Sequence, residues 1–234
     1  AAQMASNFSI LQVNLHPGFT RTMEVEMGAS TSLDLSGMTI TGMTVGDGFV
    51  INGDGDAEMI TGTSVVDTVN GNGGNDTLNG GAGNDVLKGG LGNDTYVFNR
   101  GDGQDRIEDR DGANRVEFGT GIDPSEVRVV RGQPTIILEI TGTGDRIDLG
   151  WGADPEMAIS EIAFADGTIW TSTMLVDMAL APTVGDDVIF GTDGAQILTG
   201  DAGDDRLIAL GGNDELSGGA GVDQLEGGEG DDIY

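Results

Sequence analysis

Ten carboxylates recur at one position of a nine-residue frame. Frames starting at residues 53, 62, 71, 80 and 89 place Glu58, Asp67, Asp76, Asp85 and Asp94 at their sixth position. Frames starting at 182, 191, 200, 209, 218 and 227 place Asp187, Gln196, Asp205, Asp214, Asp223 and Asp232 there. The eighth position is apolar or aromatic throughout: Ile60, Val69, Leu78, Leu87 and Tyr96, then Ile189, Leu198, Leu207, Leu216, Leu225 and Tyr234. The best copies are Gly80-Gly81-Ala82-Gly83-Asn84-Asp85-Val86-Leu87-Lys88 and the frame after it. Carboxylates stacked at such a spacing repel each other unless a cation lies between them. Carboxylate and backbone carbonyl oxygens are hard ligands, suited to Ca²⁺ rather than to zinc or copper.

The elements that must position these acids follow from the period. Glycines at the first, second and fourth positions permit positive φ and let neighbouring turns approach closely. Each nonapeptide therefore reads as a tight turn and a short strand, with the eighth side chain facing inward. Two nonapeptides make an 18-residue coil, and successive strands stack into two parallel sheets. Asp76 then stacks on Asp94 along one edge, and Asp67 on Asp85 along the other. The inner core is thin and the acids repel, so both blocks are expected to be largely unfolded without metal, with ion binding coupled to folding.

Composition agrees. Ten Lys and Arg against 40 Asp and Glu give the 234 residues a formal charge of −30. Such a surface repels nucleic acid and anionic membrane, and neither is expected as a direct partner. There is no cysteine and one histidine, His16, which excludes disulfides, thiolate catalysis and multi-histidine metal sites. No apolar run approaches 18 residues, and no N-terminal secretion signal or membrane span is visible. Residues 53–96 hold seven acids and one base, and 182–234 hold thirteen acids and one base. The stretch 97–181, with sixteen acids against seven arginines, is an ordinary mixture.

The frames over 53–96 and 182–234 resemble the calcium-binding nonapeptide repeats of RTX proteins, a signature recognised by this period. The resemblance implies an all-β fold, two parallel β-rolls holding several Ca²⁺ ions in their turns, separated by a small β domain. It also implies the ligands. One repeat supplies the carbonyls of its second and fourth residues and its Asp; the repeat two further on supplies those of its first and third residues and its own Asp. By that rule one site unites Asn72, Gly74 and Asp76 with Gly89, Leu91 and Asp94. Another unites Thr63, Val65 and Asp67 with Gly80, Ala82 and Asp85. In the second block, Thr183, Gly185 and Asp187 pair with Gly200, Ala202 and Asp205. Asp201, Gly203 and Asp205 pair with Gly218, Ala220 and Asp223. Leu210, Gly212 and Asp214 pair with Gly227, Glu229 and Asp232. Neutral Gln196, the longer Glu58 and Ala209-Leu210 in place of two glycines depart from the rule and are expected to weaken their sites.

The middle segment resembles the domain often found between RTX blocks, through Asn93-Asp94-Thr95-Tyr96-Val97-Phe98, Arg100-Gly101-Asp102-Gly103-Gln104-Asp105 and Ile162-Ala163-Phe164-Ala165-Asp166-Gly167-Thr168-Ile169-Trp170. Strands are expected at 115–118, 127–131, 135–140, 146–149, 159–164 and 168–170, and a short helix at 173–180. Asp105 and Ile107 fit one further frame, two residues out of phase, which makes Asp105 a candidate ligand. The expected division is a short-strand segment over 1–52, a first roll over 53–98, the intervening β domain over 99–181 and a second roll over 182–234. In the first segment Leu33/Leu35, Met38/Ile40 and Met43/Val45 recur every five residues. Trp151 and Trp170 read as core aromatics and His16 as a turn or surface residue.

No signal for catalysis appears: there is no G-x-S-x-G, H-E-x-x-H or P-loop. The pairs Asp186-Asp187, Asp204-Asp205 and Asp231-Asp232 have the chemistry of glycosidase carboxylates, but their phase within the nonapeptide assigns them to metal. The sequence is therefore not expected to be an enzyme. The family resemblance implies a calcium-binding structural module of a secreted bacterial protein, extracellular or at the cell surface, exported by type I secretion and folded by external calcium. The alternatives are a subunit of a calcium-stabilised assembly, with copies joined end to end, and an accessory part of a secreted hydrolase or toxin. The run Gly230-Asp231-Asp232-Ile233-Tyr234 stops at the phase where Gly92–Tyr96 meets the middle segment, which leads us to expect a longer parent chain.

Overall fold

A computed structural model describes residues 9–13, 22–27, 29–37, 48–131, 135–150 and 159–234. The expectations for His16, Trp151 and the Met38, Ile40, Met43 and Val45 recurrence lie outside the described residues. The chain lays down β1 (Ser9–Val13), β2 (Thr22–Glu26), β3 (Ser32–Asp34), β4 (Gly48–Asn52), β5 (Met59–Thr61), β6 (Val66–Gly73), β7 (Thr77–Asn79), β8 (Val86–Leu91) and β9 (Thr95–Phe98). It continues through β10 (Gln104–Ile107), β11 (Asn114–Phe118), β12 (Val127–Arg131), β13 (Ile136–Ile140), β14 (Arg146–Asp148), β15 (Ile159–Ala163) and β16 (Ile169–Thr171). The α-helix α1 (Ser172–Ala179) precedes β17 (Val188–Phe190), β18 (Ile197–Thr199), β19 (Arg206–Ile208), β20 (Glu215–Ser217) and β21 (Gln224–Glu226). The fold is thus nearly all-β, as expected.

Two compact units result: residues 1–128 with 138–151 and 156–172, and residues 173–234 with 129–137 and 152–155. In the first, strands β2 to β11 alternate between two sheets, because each turn sends the chain to the opposite side. One sheet runs β1-β2-β4-β6-β8-β10-β14-β13 and the other β16-β15-β11-β9-β7-β5-β3. Neighbours from β2 to β10 and from β3 to β15 are parallel. The register makes the 18-residue coil explicit: Val69 faces Leu87, and Leu78 faces Tyr96. The stack expected over 53–98 is continued by β2 and β3 before it, and by β10 and β11 after it. Across the latter step the coil lengthens to 20 residues, since Leu87 faces Ile107 and Tyr96 faces Val116.

Every eighth-position side chain of the first block is fully buried, and Ile107, Val116 and Ile162 prolong that column. Each buried aliphatic or aromatic side chain stabilises the stack by roughly 1.5–3 kcal/mol. Phe118, Phe164 and Trp170 pack ring on ring at 5.1 and 4.7 Å beside the column, so Trp170 is a core aromatic. In the second unit β17, β19 and β21 form one parallel sheet, and β18 and β20 the other. Ile189, Leu198, Leu207, Ala209 and Leu216 form its core, with Leu180 and Leu225 packed against them.

The turns account for the glycines. Gly92 sits at φ +128°, where a side chain is strained, and a Cβ there would run into the Gly74 carbonyl of the preceding coil. Asn72, Asp201 and Leu210 adopt the same left-handed backbone without being glycine.

Candidate metal centre

Coil stacking gives each sixth-position carboxylate a fixed partner. The Asp76 amide donates to Asp94 Oδ1 at 2.8 Å, the Asp67 amide to Asp85 Oδ1 at 2.8 Å, and the Glu58 amide to Asp76 Oδ1 at 2.8 Å. The second unit repeats the pattern: Asp187 to Asp205, Gln196 to Asp214, Asp205 to Asp223 and Asp214 to Asp232, at 2.8–3.0 Å. One oxygen of each acid is therefore pinned by the previous coil.

The other oxygen is left over. Oδ2 of Asp76, Asp85, Asp94, Asp105, Asp205 and Asp214, with Oε2 of Glu58, is buried and has no hydrogen-bond partner in the protein. A buried, unpaired carboxylate oxygen is costly, and a cation is its natural complement. The surroundings supply further oxygens. A Cβ on Gly71 would run into Asp76 Oδ2 and come within 2.7 Å of the Gly89 carbonyl oxygen. At Gly200 the same test meets Asp205 Oδ2 and, at 2.5 Å, the Gly218 carbonyl. The first-position glycine of one repeat thus leaves a space faced by its own Asp and by the first-position carbonyl two repeats later. Among the described residues no three His, Cys, Asp or Glu side chains gather at one point, so these spaces draw on carbonyls as well as carboxylates. That donor set, all hard oxygen, fits Ca²⁺.

Burial drives the carboxyl groups toward the protonated form when no cation is present. Asp85 is pushed up to about 8 by burial, helped by the nearby Asp105 charge, and Asp105 to about 7 by burial. Burial likewise raises Glu58 to about 8, Asp67 and Asp94 to about 6, and Asp76 in the same direction.

Of the residues singled out from the sequence, the structure brings the predicted pairs of turns together in register. The Gly74 amide donates to the Leu91 carbonyl, Gly203 to Ala220 and Gly212 to Glu229, each fourth residue to the third residue two repeats on. Asp223 and Asp232 are only half-buried. Asp105 takes the full sixth-position role: its Oδ1 accepts the Asp85 amide at 2.9 Å, its Oδ2 is unpaired, and the Gly83 amide donates to the Asp102 carbonyl. Residues 100–108 thus form a complete repeat. Residues 109–117 form another, missed from sequence: Asn114 Oδ1 accepts the Asp94 amide at 2.8 Å, and Gly112 has φ +75° at the fourth position. There Asp109 replaces the first glycine. Its carboxylate accepts the Tyr96 hydroxyl and Asn114 Nδ2 at 3.0 Å, while Tyr96 accepts the Gly89 amide at 2.9 Å. Side chains close that turn.

Three turns carry threonine at the second position. Asn72, Gly81, Gly90, Asp201, Leu210, Gly219 and Gly228 have φ between 65° and 100° there, whereas Thr63, Thr183 and Thr192, like Asp54 and Arg110, do not. The Thr63 amide donates to Asp67 Oδ2 at 2.6 Å, the Thr183 amide to Asp187 Oδ2 at 2.7 Å, and the Thr192 amide to Gln196 Oε1 at 2.7 Å.

A parallel roll with these turns is a calcium-binding β-roll. Residues 61–96, 183–216 and 199–234 match the RTX calcium-binding nonapeptide repeat in four-copy stretches, and 136–174 match the haemolysin-type calcium binding protein related domain. Over those residues the chain carries RTX-type calcium-binding repeats, which bind several Ca²⁺ ions. No curated protein matches the chain in sequence. Among solved structures, the extracellular lipase LipA from Serratia marcescens is similar at 18% identity and a TM-score of 0.37, over 87% of this chain and 31% of the lipase. The chain therefore spans about a third of that protein's length.

Proposed function

We propose that this chain is a calcium-folded structural module of a secreted bacterial protein: largely unfolded at low calcium, and assembled into its rolls on meeting extracellular calcium. The observation that carries this reading is the row of seven buried carboxylate oxygens without partners, five of them beside a first-position glycine. Calcium completes those oxygens and removes the repulsion between stacked acids, so binding and folding are one equilibrium. The ions lie between turns two repeats apart, as between Asn72, Gly74 and Asp76 and Gly89, Leu91 and Asp94. A further one lies between Gly81, Gly83 and Asp85 and Arg100, Asp102 and Asp105. The proposed organisation keeps the intervening segment 99–181 and the second roll from 182, with repeats 100–108 and 109–117 attached to the first roll. The module is structural rather than catalytic, and the activity of the parent protein resides elsewhere.

A calcium titration followed by far-ultraviolet circular dichroism and light scattering, with magnesium as control, tests this. A cooperative gain of β signal at constant particle size is expected. A gain accompanied by rising scattering would favour an end-to-end assembly of copies. A full β signal in chelator would defeat calcium-coupled folding.

A further inference from the structure

Where a cation needs acceptors, the three threonine turns present donors. Besides its amide, Thr63 places its hydroxyl 2.9 Å from Asp67 Oδ2 and 3.1 Å from Oδ1. The Phe49 amide donates to the same carboxylate. Asp67 is fully buried, yet it is absent from the acids with an unpaired oxygen. Thr183 repeats the arrangement, with its hydroxyl 3.0 Å from each oxygen of Asp187. The backbone explains the difference. A β-branched residue resists the left-handed conformation that Asn72, Asp201, Leu210 and the second-position glycines adopt, so the peptide turns its N–H toward the carboxylate. In the third turn the acceptor is Gln196, a neutral amide.

We infer that Thr63, Thr183 and Thr192 close their turns without an ion, a hydroxyl and an amide doing for Asp67 and Asp187 what calcium does elsewhere. These turns open the first roll's Asp67 lane and both lanes of the second block, as atypical terminal repeats do in stacked architectures. Two sites that the repeat rule places at Thr63, Val65 and Asp67 and at Thr183, Gly185 and Asp187 are then hydroxyl-capped turns. The inference rests on calcium occupying the remaining turns.

The test is the number of Ca²⁺ ions bound per chain at saturation, by equilibrium dialysis on the whole chain, with circular dichroism to establish folding. Asp67→Asn and Asp187→Asn, which keep an acceptor for the threonine, are expected to leave the count unchanged, whereas Asp76→Asn lowers it. The double variant Thr63→Gly/Thr183→Gly is expected to gain two ions. A count that falls in Asp67→Asn or Asp187→Asn overturns the inference, as does a folded double-glycine variant with no gain. If the double variant does not fold, the two asparagine variants decide. A wild-type chain that bound no calcium would defeat the functional reading beneath it and this inference together.

Discussion

The backbone amide of Asp76 donates to Oδ1 of Asp94, 18 residues later, at 2.8 Å, and the second oxygen of Asp94 is buried with nothing to accept from. One side chain thus does two jobs. Its first oxygen sets the register of neighbouring coils, and its second waits for a cation. A neutral amide retains the first job, as Asn114 does toward the Asp94 amide.

Asp76→Asn should therefore separate register from metal. The variant still accepts the Glu58 amide through its carbonyl oxygen but contributes no charge. Its calcium midpoint is expected to rise about tenfold or more, the scale of a lost charge-assisted contact of roughly 1.5–3 kcal/mol. Dichroism at saturating calcium should remain that of the wild type.

Removing a core rung tests the column. Leu78 is fully buried between its neighbours in the stack. Leu78→Ala is expected to cost about 2–5 kcal/mol, from lost transfer energy and the cavity left behind. Urea unfolding of the calcium-loaded protein measures it. Equal stability would place the side chain outside the core.

The first-position glycines are steric rather than conformational. A Cβ on Gly71 would run into Asp76 Oδ2 and crowd the Gly89 carbonyl, the space the ion needs. Gly71→Ala should lose calcium affinity and cost about 1–3 kcal/mol through overpacking. Titration calorimetry and thermal unfolding at saturating calcium read the two effects.

Acid and calcium should act in opposite directions. In the metal-free roll, burial holds Asp85 at about 8, Asp105 at about 7, and Asp67 and Asp94 at about 6. An unfolded aspartate titrates near 3.9. Folding then takes up protons: the stabilisation is complete below the unfolded value and is lost as pH rises through 6 to 8. In chelator, β dichroism is expected to grow as pH falls from 8 toward 4. Calcium affinity should fall over the same range, because protons compete for the ligand oxygens. Dichroism in chelator that did not change with pH would contradict the first expectation.

Much of this was legible before any coordinates. The sixth and eighth positions carried the coil period, the sheet pairing and the inward column from Ile60 to Tyr96. The middle strands fall within a residue or two of their sequence patterns, as at Val127–Arg131. The repeat at 109–117 was not legible, because a two-residue insertion near Asn99 breaks the phase, and Asp109 and Asn114 replace its glycine and its acid. The threonine turns were hidden for another reason. A threonine at the second position keeps the spacing intact, and only the direction of its N–H and hydroxyl distinguishes a capped turn from an open one.

The amide-to-carboxylate ladder also makes the stack unequal at its two ends. Every interior amide in it is answered by a side chain that comes later in the chain, an acid or, for Asp94, Asn114. Trimming the roll from its C-terminal side therefore strands sixth-position N–H groups, whereas trimming from the N-terminal side strands seventh-position ones, which donate to the preceding coil as Thr77 and Thr95 do to the Glu58 and Asp76 carbonyls. Exposed fifth-position side chains run the other way, Asn75 accepting from the Asn93 amide at 2.9 Å, but they do so where solvent can substitute. The two cuts differ in one respect: only shortening from the back removes the buried side-chain acceptors that answer the coils left behind.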